Sequence, residues 1–141
     1  MGDTGLLISL AFDEKGLVDE EIYQKILFNK LAFNEGMIME NIVAQMLVAS
    51  GKKLYFYFNY DKKNVENNME IDFLIAKNKI TSRHNVSPIE VKSSKNYTFS
   101  SLNKFKKKYK EYLYTSYVLH IDDLKVEDDV IFLPVYMTGL L

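Results

Sequence analysis

The chain has 141 residues, of which 48% are hydrophobic and 26% are charged, and it carries a net charge of −1. These values are typical of one globular domain with its own core, and they exclude a disordered or collagen-like chain. The complete absence of cysteine excludes disulfide bonds, thiol catalysis and metal sites built on cysteine.

The first third of the chain predicts two helices. Asp19–Leu31 has an acidic start and an apolar stripe, so we expect residues 1–33 to form a helical lead-in. The second helix is predicted over Asn34–Ser50, where Asn34 is a suitable N-cap and Gly51 a suitable stop. Its apolar residues repeat at helical spacing: Ile38, Ile42, Val43, Met46 and Leu47.

The rest of the chain predicts a series of strands. The five predicted strands are Leu54–Phe58, Met69–Ala76, Val86–Lys92, Tyr117–Ile121 and Val130–Leu133. Within the second strand, we expect Ile71, Phe73 and Ile75 to share one face of the sheet. The polar residues 77–79 predict a turn between the second and third strands.

One more helix is predicted between the third and fourth strands, over Leu102–Thr115, with Ser100 or Ser101 as its cap. Its inner stripe is formed by Leu102, Phe105, Tyr109, Tyr112 and Leu113. The order of elements predicts an α/β fold for residues 34–141, with a mixed central sheet flanked by helices in a single compact domain.

Basic residues are concentrated in the middle of the chain. Lys52–Lys110 contains fourteen lysine or arginine residues and five acids, whereas the segments on either side each carry a net charge of −5. Such a segment can form a positive face for nucleic acid, or it can be ordinary solvated surface. The lysines that we expect to contact a phosphate backbone are Lys95, Lys104, Lys107 and Lys108, the last three on the outer face of the third helix.

Three charged side chains in the predicted strands are candidates for chemistry. Asp72 lies between Ile71 and Phe73 in an apolar strand. Glu90 and Lys92 are two residues apart and therefore project from the same face of the next strand. If both faces of the sheet are covered, two carboxylates and one ammonium group gather near the sheet centre. Their burial then costs several kcal/mol per ion unless they pair or bind a cation.

Glu40 is the fourth candidate, because it lies at the border of the apolar stripe on the Asn34–Ser50 helix. Carboxylates that converge repel each other, and Mg²⁺ or Mn²⁺, which prefer oxygen ligands, would remove that repulsion. A lysine beside such a cation can orient water and stabilise charge on a phosphate. Taken singly, each residue has another interpretation: an edge-strand ion pair for Glu90 and Lys92, a turn or cap for Asp72, and a surface position for Glu40.

Two further residues are weaker candidates. Glu70 shares a strand face with Asp72, either as a second carboxylate or as a solvated residue near the start of the strand. His120 alternates with Leu119 and Ile121, and no partner at metal-ligand spacing accompanies it. We therefore expect His120 to be an ordinary strand residue.

Seven phrases of the sequence resemble the C-terminal domain of unknown function of a family of bacterial and archaeal AAA-type ATPases. They are Asp3–Leu7, Gly36–Val43, Leu54–Tyr57, Glu70–Ile75, Pro88–Ser94, Ser101–Phe105 and Leu133–Tyr136. The order of a helix-borne Glu, a strand Asp, a hairpin and a strand Glu-x-Lys also resembles the restriction-endonuclease-like, or PD-(D/E)xK, nuclease superfamily. The nominal Pro-Asp pair of that superfamily is replaced by Ile71 and Asp72.

The resemblance implies a restriction-endonuclease-like core with defined roles for the four candidates. Asp72 and Glu90 would be the ligands of Mg²⁺ or Mn²⁺, Lys92 the catalytic lysine and Glu40 the carboxylate that assists the metal. The resemblance also implies that an ATP-binding module, missing from this chain, precedes the domain in a longer protein. No P-loop or dinucleotide-binding glycine motif occurs in this sequence, so we expect no ATPase activity from it.

Three functional hypotheses follow. The leading one is metal-dependent hydrolysis of DNA phosphodiester bonds by a nuclease-like domain, with DNA and the ATPase module as partners. The alternative is a catalytically silent module that docks DNA or a protein and regulates the ATPase, with Lys92 closed onto Glu90 or Asp72. The third is self-association through apolar surface. We expect a cytoplasmic protein without a membrane segment, because no apolar run approaches the roughly 18 residues of a membrane span and no signal peptide is visible.

Overall fold

The computed structural model describes residues 35–76 and 85–141. The α-helices are α1 (Glu35–Ala49) and α2 (Ser100–Tyr109). The strands are β1 (Tyr55–Asn59), β2 (Met69–Ala76), β3 (Val86–Val91), β4 (Ser116–His120), β5 (Lys125–Glu127) and β6 (Val130–Pro134). Short 3₁₀ helices cover Val65–Asn67, Lys110–Tyr112 and Val135–Leu140. The predicted lead-in over 1–33, the cap at Asn34 and the turn at 77–79 lie outside the described residues.

The six strands form one mixed sheet in the order β1-β2-β3-β4-β6-β5. β1, β2 and β3 form an antiparallel meander, and the connection through α2 then returns the chain so that β4 runs parallel to β3. β6 is parallel to β4, and β5 lies at the far edge as the antiparallel partner of β6. The prediction of an α/β fold with a mixed central sheet is therefore confirmed.

The sheet separates two apolar clusters, because neighbouring residues of a strand point to opposite faces. Leu119 belongs to the cluster on the α1 face, together with Leu47 of that helix. Val118 belongs to the cluster on the α2 face, together with Leu102 and Phe105. All five side chains are at most 3% exposed, so burial of apolar surface holds each helix on its own face. Neither helix of the described ranges has the length and apolar composition of a membrane span.

β2 contains a β-bulge beside Asp72. Tyr55 pairs with Leu74 and Tyr57 pairs with Ile71, so two steps along β1 match three steps along β2. One extra residue is therefore inserted into β2 between Ile71 and Leu74. Bulges of this kind bend the strand and change the direction of a side chain, and they are frequent next to active sites.

The bulge changes which face the side chains of β2 occupy. Ile71 packs in the cluster on the α2 face, whereas Phe73 and Ile75 pack in the cluster on the α1 face. The prediction that these three residues share one face is therefore wrong. It assumed an unbroken strand, and a single inserted residue reverses the alternation.

A hairpin between β5 and β6 has no counterpart in the predicted elements. Glu127 pairs with Val130, so the loop consists of Asp128 and Asp129, which have φ angles of 48° and 60°. Positive φ at both loop positions is the requirement of a type I′ turn, and aspartate adopts it more readily than most residues. The strand Lys125–Glu127 escaped prediction because all its residues are exposed and no glycine marks the turn.

α2 is shorter than predicted. It ends at Tyr109, and a 3₁₀ turn follows, so Tyr112 is 57% exposed instead of lying in the inner stripe. The predicted serine cap is also wrong. Phe99 occupies the N-cap position without a side-chain hydrogen bond, and Ser100 and Ser101 lie inside the first turn. Both hydroxyls are thereby available to the surface beside the helix start.

The packing of α1 predicts unequal effects for two neighbouring substitutions. Leu47→Ala should lower the free energy of unfolding by about 2–5 kcal/mol, because it opens a cavity in the α1 cluster. Val48→Ala, at a 57% exposed position, should change it by less than about 0.5 kcal/mol. Urea unfolding followed by circular dichroism measures both, and equal losses would contradict this orientation of α1.

Candidate functional site

A polar cleft of about 210 Å³ opens beside the point where β2 and β3 separate, next to the first turn of α2. The side chains that line it are Glu70, Asp72, Glu90, Lys92, Thr98, Ser100 and Ser101. It thus combines carboxylates, one ammonium group and hydroxyl groups. Three of the four predicted site residues, Asp72, Glu90 and Lys92, come together here.

The side chain of Asp72 provides the hydrogen-bond acceptor at the point where the backbone ladder between β2 and β3 ends. The ladder reaches Phe73 opposite Ile89, and beyond it Oδ2 of Asp72 accepts a hydrogen bond from the amide of Val91 at 2.7 Å. A side-chain carboxylate thus takes the place of a backbone carbonyl as the acceptor for this amide, and the cleft lies beside this point. Burial raises the pKa of Asp72, and the Val91 amide and Lys92 only partly counteract it.

Glu90 is buried next to Asp72, with only 2% of its surface exposed. Nζ of Lys92 lies 2.8 Å from Oε2 of Glu90, and the lysine side chain is 24% exposed. Apart from this ion pair, neither oxygen of Glu90 has a hydrogen bond of good geometry within the described part of the chain, so the carboxylate can accept further donors. Burial raises the pKa of Glu90, whereas Lys92 and the amide of Leu102 at the start of α2 lower it.

Glu40 does not line the cleft, but the charges of the cleft residues shift its pKa. It is half-buried on α1. Burial raises the pKa of Glu40, the negative charges of Asp72 and Glu70 raise it further, and Lys92 lowers it. Glu40 is therefore near the other predicted site residues, and its assisting role stays a prediction.

The donor set of the cleft fits a divalent cation bound by two carboxylates. Mg²⁺ is commonly held by one or two carboxylates and keeps several waters. Asp72 and Glu90 provide such a pair. The observation that fits a cation best is that the carboxylate oxygens of Glu90 have no hydrogen bond of good geometry among the described residues. Within residues 35–76 and 85–141, no three His, Asp or Glu side chains are grouped to hold a metal ion. Glu40 and Glu70 therefore do not complete a cage made of protein ligands alone.

The comparisons with known proteins place this chain in a family. Residues 35–137, and thus the whole cleft, match a domain of unknown function (DUF4143). The chain belongs to this family. DUF4143 domains are commonly found with AAA-type ATPases, which agrees with the resemblance drawn from the sequence phrases. No curated protein and no solved structure matches the chain significantly, and the resemblance to PD-(D/E)xK nucleases stays a prediction.

The lysines that were predicted to contact a phosphate backbone have separate neighbours in this DUF4143 domain. Lys104 donates a hydrogen bond to a backbone carbonyl at 3.2 Å, and Lys95 lies 3.7 Å from an aspartate oxygen. Lys108 lies over a tyrosine ring, and Lys107 lines a different groove, of about 750 Å³, at the end of α2. None of the four lines the polar cleft, and their contact with DNA stays a prediction.

His120 lies in β4 as predicted, but its surroundings were not foreseen. It is 1% exposed, and its Nδ1 lies 3.2 Å from the hydroxyl of Tyr97. Its Nε2 has no hydrogen-bond partner among the described residues. Leu119 and Ile121, which flank it in the sequence, do not signal this burial, because side chains alternate along a strand and Ile121 is 45% exposed.

The ion pair in the cleft predicts a stability cost that a second substitution relieves. Lys92→Ala should lower the free energy of unfolding by about 1–3 kcal/mol, because it leaves the buried carboxylate of Glu90 without its partner. Adding Glu90→Gln should restore most of this loss, since a neutral amide needs no counter-charge. Lys95→Ala, an exposed lysine 3.7 Å from its acid, should cost less than about 1 kcal/mol. Urea unfolding at neutral pH gives all values, and equal losses for the two lysines would contradict the ion pair.

The raised pKa of Asp72 predicts how stability depends on pH. A carboxyl group whose pKa is higher in the folded state binds its proton more tightly there. It therefore lowers the free energy of unfolding as the pH rises from about 4, the pKa of an unfolded aspartate, through the folded pKa. Asp72→Asn keeps an oxygen for the Val91 amide and removes this titration. The stability of the variant relative to wild type should increase from pH 4 to pH 8, measured by thermal unfolding, and a difference that decreases would contradict the burial of this charge.

Proposed function

We propose that this DUF4143 domain hydrolyses phosphodiester bonds of DNA with the help of a divalent metal ion, as the C-terminal domain of an AAA-type ATPase. The observation that carries the proposal is the buried carboxylate of Glu90, which lies beside Asp72 and Lys92 in a polar cleft. Its oxygens have no hydrogen bond of good geometry among the described residues. Two desolvated acids with raised pKa values favour the arrival of a further positive charge.

Each side chain of the cleft has a role in this proposal. Asp72 and Glu90 would hold Mg²⁺ or Mn²⁺, which when bound supplies positive charge for the phosphate and lowers the pKa of a bound water. Lys92, whose side chain is 24% exposed, can turn from Glu90 towards the cleft and orient the attacking water or bind a phosphate oxygen. Glu40 would help to orient water from outside the cleft.

The first turn of α2 provides donors for the phosphate. Thr98, Ser100 and Ser101 contribute hydroxyl groups to the cleft. The N-cap residue Phe99 makes no side-chain hydrogen bond, so the first amides of this helix have no capping oxygen from it. Amides and hydroxyls at a helix start stabilise negative charge. In the reaction, the oxygen of water bonds to phosphorus, the bond from phosphorus to the sugar oxygen breaks, and that oxygen takes a proton.

The order of elements supports the proposal. Glu40 lies on the helix before the meander, Asp72 on its second strand, and Glu90 and Lys92 at the end of its third strand. A helix then leads to a strand parallel to the third. This order of helix-borne Glu, strand Asp, hairpin and Glu-x-Lys is the one on which the resemblance to restriction-endonuclease-like nucleases rests.

The ion pair of Lys92 with Glu90 favours a second candidate function. At 2.8 Å the lysine already neutralises one of the two predicted metal ligands. A domain in which this pair is permanent would be catalytically silent. It would then dock DNA or a protein and regulate the accompanying ATPase.

A nicking assay separates the two functions. With supercoiled plasmid DNA and Mn²⁺, the wild-type chain should produce nicked circles, and Lys92→Ala and Asp72→Asn should reduce the rate at least about a hundredfold, the loss typical of a charge-stabilising group. Lys125→Ala, on β5 at the far edge of the described sheet, is the matched control and should retain the wild-type rate. Circular dichroism verifies that each variant is folded.

Metal binding without DNA gives a second measurement. Titration calorimetry should detect Mn²⁺ binding to the wild-type chain, weakened by Asp72→Asn and by Glu90→Gln. A folded wild-type chain that neither binds Mn²⁺ nor nicks DNA would refute hydrolysis and favour the silent module. Binding without nicking would assign the cations a structural role instead.

A further inference from the structure

β1 presents a row of exposed aromatic rings on the α1 face of the sheet. Tyr57 points to the α2 face, where its hydroxyl lies 2.9 Å from that of Tyr109. Because side chains alternate along a strand, Phe56 and Phe58 point to the opposite face, where they are 78% and 62% exposed. Tyr60 is 62% exposed and stacks on Phe58 with an angle of 10° between the rings. Contiguous exposed apolar surface of this kind marks an interaction site.

Lysines flank this aromatic row at both ends. Lys52 and Lys53 precede β1, and Lys62 and Lys63 follow it. The loop that carries the second pair is held in place by Asp61, whose carboxylate accepts a hydrogen bond from the amide of Lys63 at 2.8 Å. Positive charge at both ends of a row of ring faces matches a partner that combines phosphates with flat bases.

The row leads towards the polar cleft. Phe58 pairs with Glu70 across β1 and β2, so their side chains lie next to each other on the same face. Glu70 in turn lines the cleft. A strand of nucleic acid lying on Phe58 is therefore one cross-strand step away from the cleft.

We propose that the β1 platform, defined as Phe56, Phe58 and Tyr60 with the two flanking lysine pairs, binds single-stranded nucleic acid. The bases stack on the ring faces and the lysines bind the phosphates. A single strand fits this surface better than a duplex, because a duplex keeps the faces of its bases inside the helix. Binding here does not depend on hydrolysis in the cleft.

The charges of the platform favour a polyanion over a second copy of the chain. If two β1 edges paired in the antiparallel sense, the lysine pair before β1 of one copy would meet the pair after β1 of the other. Like charges brought together in this way oppose association, and lysines on an edge strand serve natural sheets as protection against pairing. The same four lysines attract the phosphates of a nucleic acid.

Fluorescence anisotropy of a labelled oligothymidylate, with the full chain in EDTA, tests the proposal. Saturable binding is expected, and Phe58→Ala should weaken it roughly ten- to a hundredfold, the effect of one stacked base. Val126→Ala is the matched control, because this residue is 70% exposed on β5 at the other edge of the described sheet. It should bind as wild type does.

The salt dependence of binding tests the lysines separately. Replacing Lys62 and Lys63 together by alanine should reduce the slope of log affinity against log salt by about 1.4, since each neutralised phosphate of a single strand contributes about 0.7. Because the assay contains EDTA, it measures binding in the absence of the metal-dependent reaction, so a failure of hydrolysis and a failure of this proposal are distinguishable.

Three results would overturn the proposal. The first is a lack of saturable binding, and the second is an equal loss for Phe58→Ala and Val126→Ala. The third is sedimentation that shows a dimer abolished by Phe58→Ala, without binding of the oligonucleotide, which would assign the platform to a second copy.

Discussion

The hydrogen bond from the Val91 amide to Asp72 is the contact on which the rest of the site depends. It ends the ladder between β2 and β3 without leaving a buried amide unpaired, which a separated strand pair would otherwise do. The bulge next to it supplies the change of direction that brings Asp72 to this place. Beyond this point the Lys92 amide bonds to Leu119 of β4 at 2.8 Å, whereas Ile71 and Glu70 of β2 stay paired with β1.

The electrostatics of the cleft follow from the burial of its two acids. Two carboxylates lie where water is partly excluded, and burial works against their negative charge. Lys92 and the start of α2 offset part of that cost for Glu90, and the Val91 amide does so for Asp72. The offset is incomplete, because the pKa of each acid stays raised. The protonation state of acids balanced in this way responds to the charge of whatever binds beside them.

Most of the architecture was predictable because it depends on periodic patterns. The helix that became α1 and the strands β1–β4 and β6 carry apolar residues at regular spacing, and the elements lie close to their predicted bounds. The bulge in β2 was not predictable, since no residue of this apolar strand indicates that one position is inserted. β5 was missed because its residues are all exposed, and Tyr112 was misplaced because α2 ends at Tyr109 and not at Thr115.

The sequence predicted three charged residues of the cleft, but it placed Glu40 there wrongly and did not predict the hydroxyl groups of Thr98, Ser100 and Ser101. The positions of Asp72, Glu90 and Lys92 on neighbouring strands indicated that they would meet. That Asp72 would bond to a backbone amide and that Lys92 would contact Glu90 depended on side-chain geometry, which sequence patterns do not contain. The burial of His120 follows from the same limit, because its neighbours on other strands and loops are distant in sequence.

The far edge of the described sheet is poorly suited to pairing with a strand of another chain. β5 is three residues long, and its Lys125 lies 4.3 Å from the ring centre of Phe132 and 3.2 Å from a carboxylate oxygen of Glu127. A short strand with paired charges, turned back by a tight two-residue loop, offers little backbone for another chain to extend. Fibril-like stacking through this margin is therefore disfavoured, so the parallel strands inside the sheet are shielded from polymerisation on that side.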